Sequence, residues 1–62
     1  MTALEAIIKE IDEKVAQLRD HIATGNVETL EEYKRLCGEI RGLLFAKDYT
    51  ISLQHKLETS DE

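Results

Sequence analysis

The chain has no proline and no tryptophan, and its aromatic residues are one phenylalanine and two tyrosines. Without proline nothing forces a kink or a rigid turn, so long uninterrupted helices are open to it. With so few aromatics the core must be built from Leu, Ile, Val and Ala in a single domain of 62 residues. Cys37 is the only cysteine, which excludes an intramolecular disulfide and points to a reducing compartment. The longest strongly apolar run, Leu43 to Ala46, is far short of the roughly 20 residues that cross a bilayer. The N-terminal stretch MTALEAIIKEIDEK mixes acids with its apolar residues and has no basic start, so it does not read as a signal peptide. A basic face is lacking too. The net charge is −5, with 13 acidic and 8 basic residues, and the basic ones are scattered, which argues against direct binding of nucleic acid. A soluble protein of the cytoplasm is expected.

What the chain does contain is helical periodicity. Thr2 and Glu5 have the spacing of a capping box, so a first helix is expected over residues 3–24. Its apolar residues Leu4, Ile8, Ile11, Val15, Leu18 and Ile22 step alternately by four and three, a heptad seam on one side of the helix. Glu5 with Lys9 and Glu10 with Lys14 are spaced for supporting ion pairs. Gly25 can adopt the left-handed conformation that ends a helix, placing a turn at 25–29. Thr29 and Glu32 repeat the capping spacing, with Asn26 as an alternative cap, and a second helix is expected over 30–58. Residues 59–62 read as an acidic, frayed tail. The fold expected is all-α, an antiparallel helical hairpin occupying residues 1–58, whose second helix overhangs the first. A chain this short buries only about 60% of its unfolded surface, so an oligomer or a larger host assembly is the expected source of extra stability.

The second helix raises a question. Gly38 and Gly42 lie four apart in its most apolar stretch, LCGEIRGLLFA, and each glycine costs about 1 kcal/mol relative to alanine in a helix interior. With Ala46 they form a small-residue stripe that lets another backbone or a bulky side chain approach closely. The alternative is that one of the glycines ends a helix and a third begins at Leu43. On a helical projection Leu30, Tyr33, Leu36, Cys37, Ile40, Leu43, Leu44 and Ile51 fall on one side, and Gly38, Gly42, Phe45, Ala46, Tyr49 and Leu53 on the other. The first helix has one seam and can cover only one of these sides. The other side, continued through Leu57 in the overhang, is the expected partner-binding surface: Gly38, Gly42, Phe45, Ala46, Tyr49, Leu53 and Leu57.

Chemistry has little to work with. His21, Cys37 and His55 lack any close metal-ligand spacing, Cys37 reads as a small buried hydrophobe, and the acids fit a solvated helix face. No phosphate-cradling glycine loop is present. No catalytic residue, cofactor or metal is expected, and the chain does not read as an enzyme.

The segment EEYKRLCGEIRGLLFAKDYTISLQHKLE, residues 31–58, resembles small helical proteins of tailed bacteriophages, especially short-tailed ones. The likeness lies in EYKRLCGEIRGLLFA followed by a tyrosine and KLE. The first half shares only an amphipathic helix and a glycine-containing turn. The resemblance implies a phage accessory or virion-associated protein, packed against head or portal proteins and located in the host cytoplasm or the virion. It implies no catalytic residue. The expected function is thus a structural interaction protein binding itself or a larger assembly. The alternative is a small acidic regulator that binds and inhibits a host protein, against which stands the interleaving of its acids with bases.

Overall fold

The computed structural model describes residues 2–59 and consists of two helices, α1 (Ala3–Ala23) and α2 (Leu30–Thr59), packed as an antiparallel hairpin. Residues 60–62, most of the expected acidic tail, lie outside the described residues, and Thr59 is the last residue of α2.

The start of α1 is closed by both halves of a capping box. The Glu5 N–H donates to Thr2 Oγ1 at 3.1 Å, and the Thr2 N–H donates to the Glu5 carboxylate at 3.3 Å. That bond holds the Glu5 carboxylate over the helix end. The expected Glu5–Lys9 and Glu10–Lys14 ion pairs do not form; among the described residues, the ion pairs within 4.0 Å are Arg35–Glu39, Asp12–Lys47 and, when the imidazole is protonated, His21–Glu32.

α1 ends one residue before the expected position. Thr24 is its C-cap, with its N–H on the Asp20 carbonyl at 2.9 Å, and Gly25 follows at φ +79°, a conformation that a β-carbon would strain. Asn26 belongs to this stop: its side-chain amide donates to Thr24 Oγ1 at 3.0 Å. α2 is capped by Thr29, whose Oγ1 accepts from the Glu32 N–H at 3.1 Å.

α2 runs unbroken through both glycines, so neither ends a helix. The overhang is placed differently from the expectation. At 1.5 Å per residue α1 is about 32 Å long and α2 about 45 Å, yet Gln54, Leu57 and Glu58 share an open groove of about 390 Å³ with Thr2, Ala3, Leu4 and Glu5. The last turns of α2 therefore lie beside the first turn of α1, and Leu57 borders α1 instead of standing clear of it.

The molecule measures 52 × 19 × 12 Å. Its thinnest dimension is the diameter of one helix, about 10–12 Å with side chains, so each helix has its back to solvent. The core is correspondingly thin. Val15, Leu18 and Leu36 are its buried members, flanked by half-buried Leu4, Ile8, Ile11 and Ile22 from α1 and by Cys37, Ile40, Leu43 and Leu44 from α2. The whole seam expected for α1 faces the partner helix.

For α2 the buried line differs from the projection. It follows Leu36, Ile40 and Leu43 and then continues through Lys47, Thr50 and Gln54, all half-buried, while Leu30, Tyr33 and Ile51 are exposed. The reason is geometric. The α1 seam repeats every 3.5 residues, and a helix packed along it must present its own residues at the same steps of four and three. Past Leu44 those steps land on polar side chains. Lys47 adapts by reaching Asp12 with Nζ at 2.7 Å from the carboxylate, and Thr50 by donating its hydroxyl to the Ala46 carbonyl at 2.8 Å.

Candidate interaction surface

Moving the seam onto Lys47, Thr50 and Gln54 turns the large apolar residues of the second half of α2 outward. Phe45 is 59% exposed, Tyr49 76% and Leu53 48%. Gly38, Gly42 and Ala46 are exposed on the same side. A β-carbon built on Gly38 or Gly42 would meet nothing within 4 Å, so no part of the described chain uses the space that their missing side chains leave.

The back of α1 shows that this is not simply what the outside of such a hairpin looks like. There the exposed residues include Glu10, Glu13, Lys14, Gln17 and Asp20. Both helices turn charge to water, α2 with Glu31, Lys34, Arg35, Arg41, Asp48 and Lys56, but α2 adds Phe45, Tyr49 and Leu53 one turn apart, where α1 exposes a single large apolar residue, Ile7, among the described residues. Isolated exposed apolar residues are ordinary, but adjacent ones at helical spacing around two glycines form a patch of the kind that marks a contact surface.

Of the residues expected at the partner surface, Gly38, Gly42, Phe45, Ala46, Tyr49 and Leu53 lie together on the outward side of α2. Leu57, half exposed, lines the groove at the open end of the hairpin with Thr2 to Glu5. Arg35 and Glu39 border the patch, joined by a charge-assisted hydrogen bond of 2.7 Å between Nη1 and the carboxylate. Across the hairpin at the turn, His21 Nε2 stands 4.0 Å from the Glu32 carboxylate.

Tyr33 and Cys37 lie one turn apart on the flank of α2. The hydrogen bond to Cys37 pushes the Tyr33 phenol above its usual value, negative charge on the Cys37 sulfur adds to the shift, and desolvation adds least. The thiol is half-buried. Among the described residues no group of three His, Cys, Asp or Glu side chains is placed to hold a metal ion, and no helix is long and apolar enough to cross a membrane.

No protein-family model matches the chain, and comparison with curated proteins and with solved structures finds no match.

The polar seam residues escaped the projection of the isolated helix. Continuing the steps of four and three from Leu36 would have found Lys47, Thr50 and Gln54, because α1 imposes its period on whatever packs against it.

Proposed function

We propose that this chain is a non-enzymatic interaction protein that docks through the outward face of α2. The observation that carries the reading is the row of Phe45, Tyr49 and Leu53, exposed one turn apart on the outer side of α2 beside two open glycines, where the back of α1 carries no such row among the described residues. Helices that lie in apolar grooves or against one another use such a face, with anchors spaced one turn apart. Phe45, Tyr49 and Leu53 are the anchors. Gly38, Gly42 and Ala46 let the partner come close. The thin core supplies a physical motive, since a contact along this face shelters apolar surface that the hairpin alone leaves wet.

The likeness of residues 31–58 to small proteins of tailed bacteriophages supports an accessory or virion-associated role, with head or portal proteins as the larger assembly. The test is co-purification of the tagged full chain with virions, compared with a Tyr49→Asp variant. Tyr49 is the most exposed of the anchors, so an aspartate there leaves the hairpin folded. Retention of the parent chain and loss of the variant is the expected result. Equal retention of both would remove the face from the account, and loss of both would remove the virion.

A further inference from the structure

The outward face of α2 is complementary to itself when reversed. Its glycines lie on the N-terminal side of the Leu43–Leu44 peptide and its aromatics on the C-terminal side, with the same four-residue spacing in each pair. Gly42 and Phe45 are equally distant from that centre, and so are Gly38 and Tyr49. At about 100° per residue all four lie within about 60° of arc on the helix. In a two-fold pair with the helices antiparallel, whatever stands at one height on one copy meets whatever stands at the mirrored height on the other, and each contact occurs twice. Each aromatic ring then lies level with an open glycine of the other chain.

Two pairs of charges obey the same reversal, while Glu39 and Asp48, mirrored acids, lie on opposite flanks of the face and stay apart. Glu31 and Lys56 are equidistant from the same centre, near the two ends of the face, so each meets its opposite on the other copy. Arg41 and Asp48 lie on one flank of the face, and reversal brings the Arg41 of one copy within about two residues, roughly 3 Å along the axis, of the partner's Asp48. Glu31, Arg41, Asp48 and Lys56 form no ion pair within the described chain. A parallel pair would instead set Phe45 against Phe45, glycine against glycine, Glu31 against Glu31 and Lys56 against Lys56, leaving the indentations empty and like charges together.

We infer that the occupant of the face is a second copy of this chain, packed antiparallel through α2 about a two-fold axis at the height of the Leu43–Leu44 peptide, with Phe45 and Tyr49 seated on the partner's Gly42 and Gly38. The product is a four-helix assembly with the α2 helices inside and the charged backs of α1 outside. Contact from Glu31 to Lys56 runs roughly 37 Å at 1.5 Å per residue. That is long enough for an interface of about 600–800 Å² on each partner, the range of small stable complexes. The pairing rests on the docking function proposed above and adds to it the partner, the direction and the register, so that a larger assembly meets the paired chain and not the α2 face itself.

The test combines mass with cross-linking. Light scattering behind size exclusion, over a hundredfold range of concentration, should give the parent chain twice its 7.1 kDa mass. In a Cys37→Ala background, chains carrying Glu31→Cys and chains carrying Lys56→Cys are then mixed and oxidised. Disulfides joining the two kinds of chain are the expected product. Joining of Glu31→Cys chains to one another would overturn the antiparallel direction, and a dimer that yields no mixed disulfide would overturn the register. A trimer or larger species would overturn the two-fold pairing. A monomer at every concentration would overturn the second copy as occupant, while co-purification with virions would still decide the docking function separately.

Discussion

Replacing Gly42 with leucine separates the fold from the interface, because the two effects have opposite signs. Within the chain, a β-carbon at this position meets nothing within 4 Å, so the larger side chain enters solvent without a clash. Glycine in a helix interior costs about 1 kcal/mol relative to alanine, and leucine is close to alanine, so the isolated hairpin should gain somewhat under 1 kcal/mol. For a domain of this size that corresponds to a rise in Tm of about 4–8 °C per kcal/mol. Between copies, the new side chain occupies the place of the Phe45 ring. Overpacking of a close contact typically costs about 1–3 kcal/mol on each side, and a two-fold interface contains the change twice. A loss of about 2–6 kcal/mol in all should weaken association at least about thirtyfold, at tenfold for each 1.4 kcal/mol. Melting by circular dichroism at a concentration low enough to keep both proteins monomeric reads the first effect, and light scattering reads the second. Unchanged assembly beside a raised Tm would show that Gly42 is not at a contact. A lowered monomer Tm would refute the open geometry around it.

Other perturbations test the remaining parts of the account. Ile11→Asp places an unpaired carboxylate in the half-buried α1 seam and should cost several kcal/mol, enough to unfold a core this thin; retained helicity by circular dichroism would contradict the seam. Lys47→Leu gives up a partly exposed ion pair with Asp12, worth about 0.2–1 kcal/mol, and puts an apolar side chain on the seam, so chemical denaturation should show a net gain of about 1 kcal/mol. The Tyr33 phenol titrates above its ordinary value, so the fold favours its protonated form. Its contribution to stability is complete below the unfolded value of about 10 and is lost as pH rises through the raised, folded value. In a Tyr49→Phe background, where Tyr33 is the one tyrosine, removing the sulfur by Cys37→Ala should bring the phenolate absorbance transition back toward the ordinary value. An unmoved transition would mean that Cys37 is not the cause.

The legibility of the fold differed between its two helices for a physical reason. α1 was readable because its apolar residues already follow the 3.5-residue period of a packed pair, from Leu4 to Ile22, with a capping box at one end and Gly25 at the other. α2 was readable in extent, since nothing in it breaks a helix strongly enough to outweigh its packing. Its facing side was harder. A straight-helix projection gathers Ile51 and Tyr33 with Leu36, but the side that faces α1 is chosen by α1, and beyond Leu44 it passes through Lys47, Thr50 and Gln54. The outward face was legible for the opposite reason. Gly38, Gly42, Phe45, Tyr49 and Leu53 lie too far around α2 for a helix with one seam to cover. The position of Leu57 depended on how the helix ends align, which neither period nor composition encodes.

The most direct test of α2's outward face as the contact surface is to follow backbone amide chemical shifts of isotope-labelled full-length chain on stepwise concentration. The account predicts concentration-dependent shifts clustered at Gly38, Gly42, Phe45, Ala46, Tyr49 and Leu53, with Glu10, Glu13 and Gln17 on the back of α1 unmoved. Shifts clustered on α1 would contradict the face, and none across the range would contradict its pairing with a second copy.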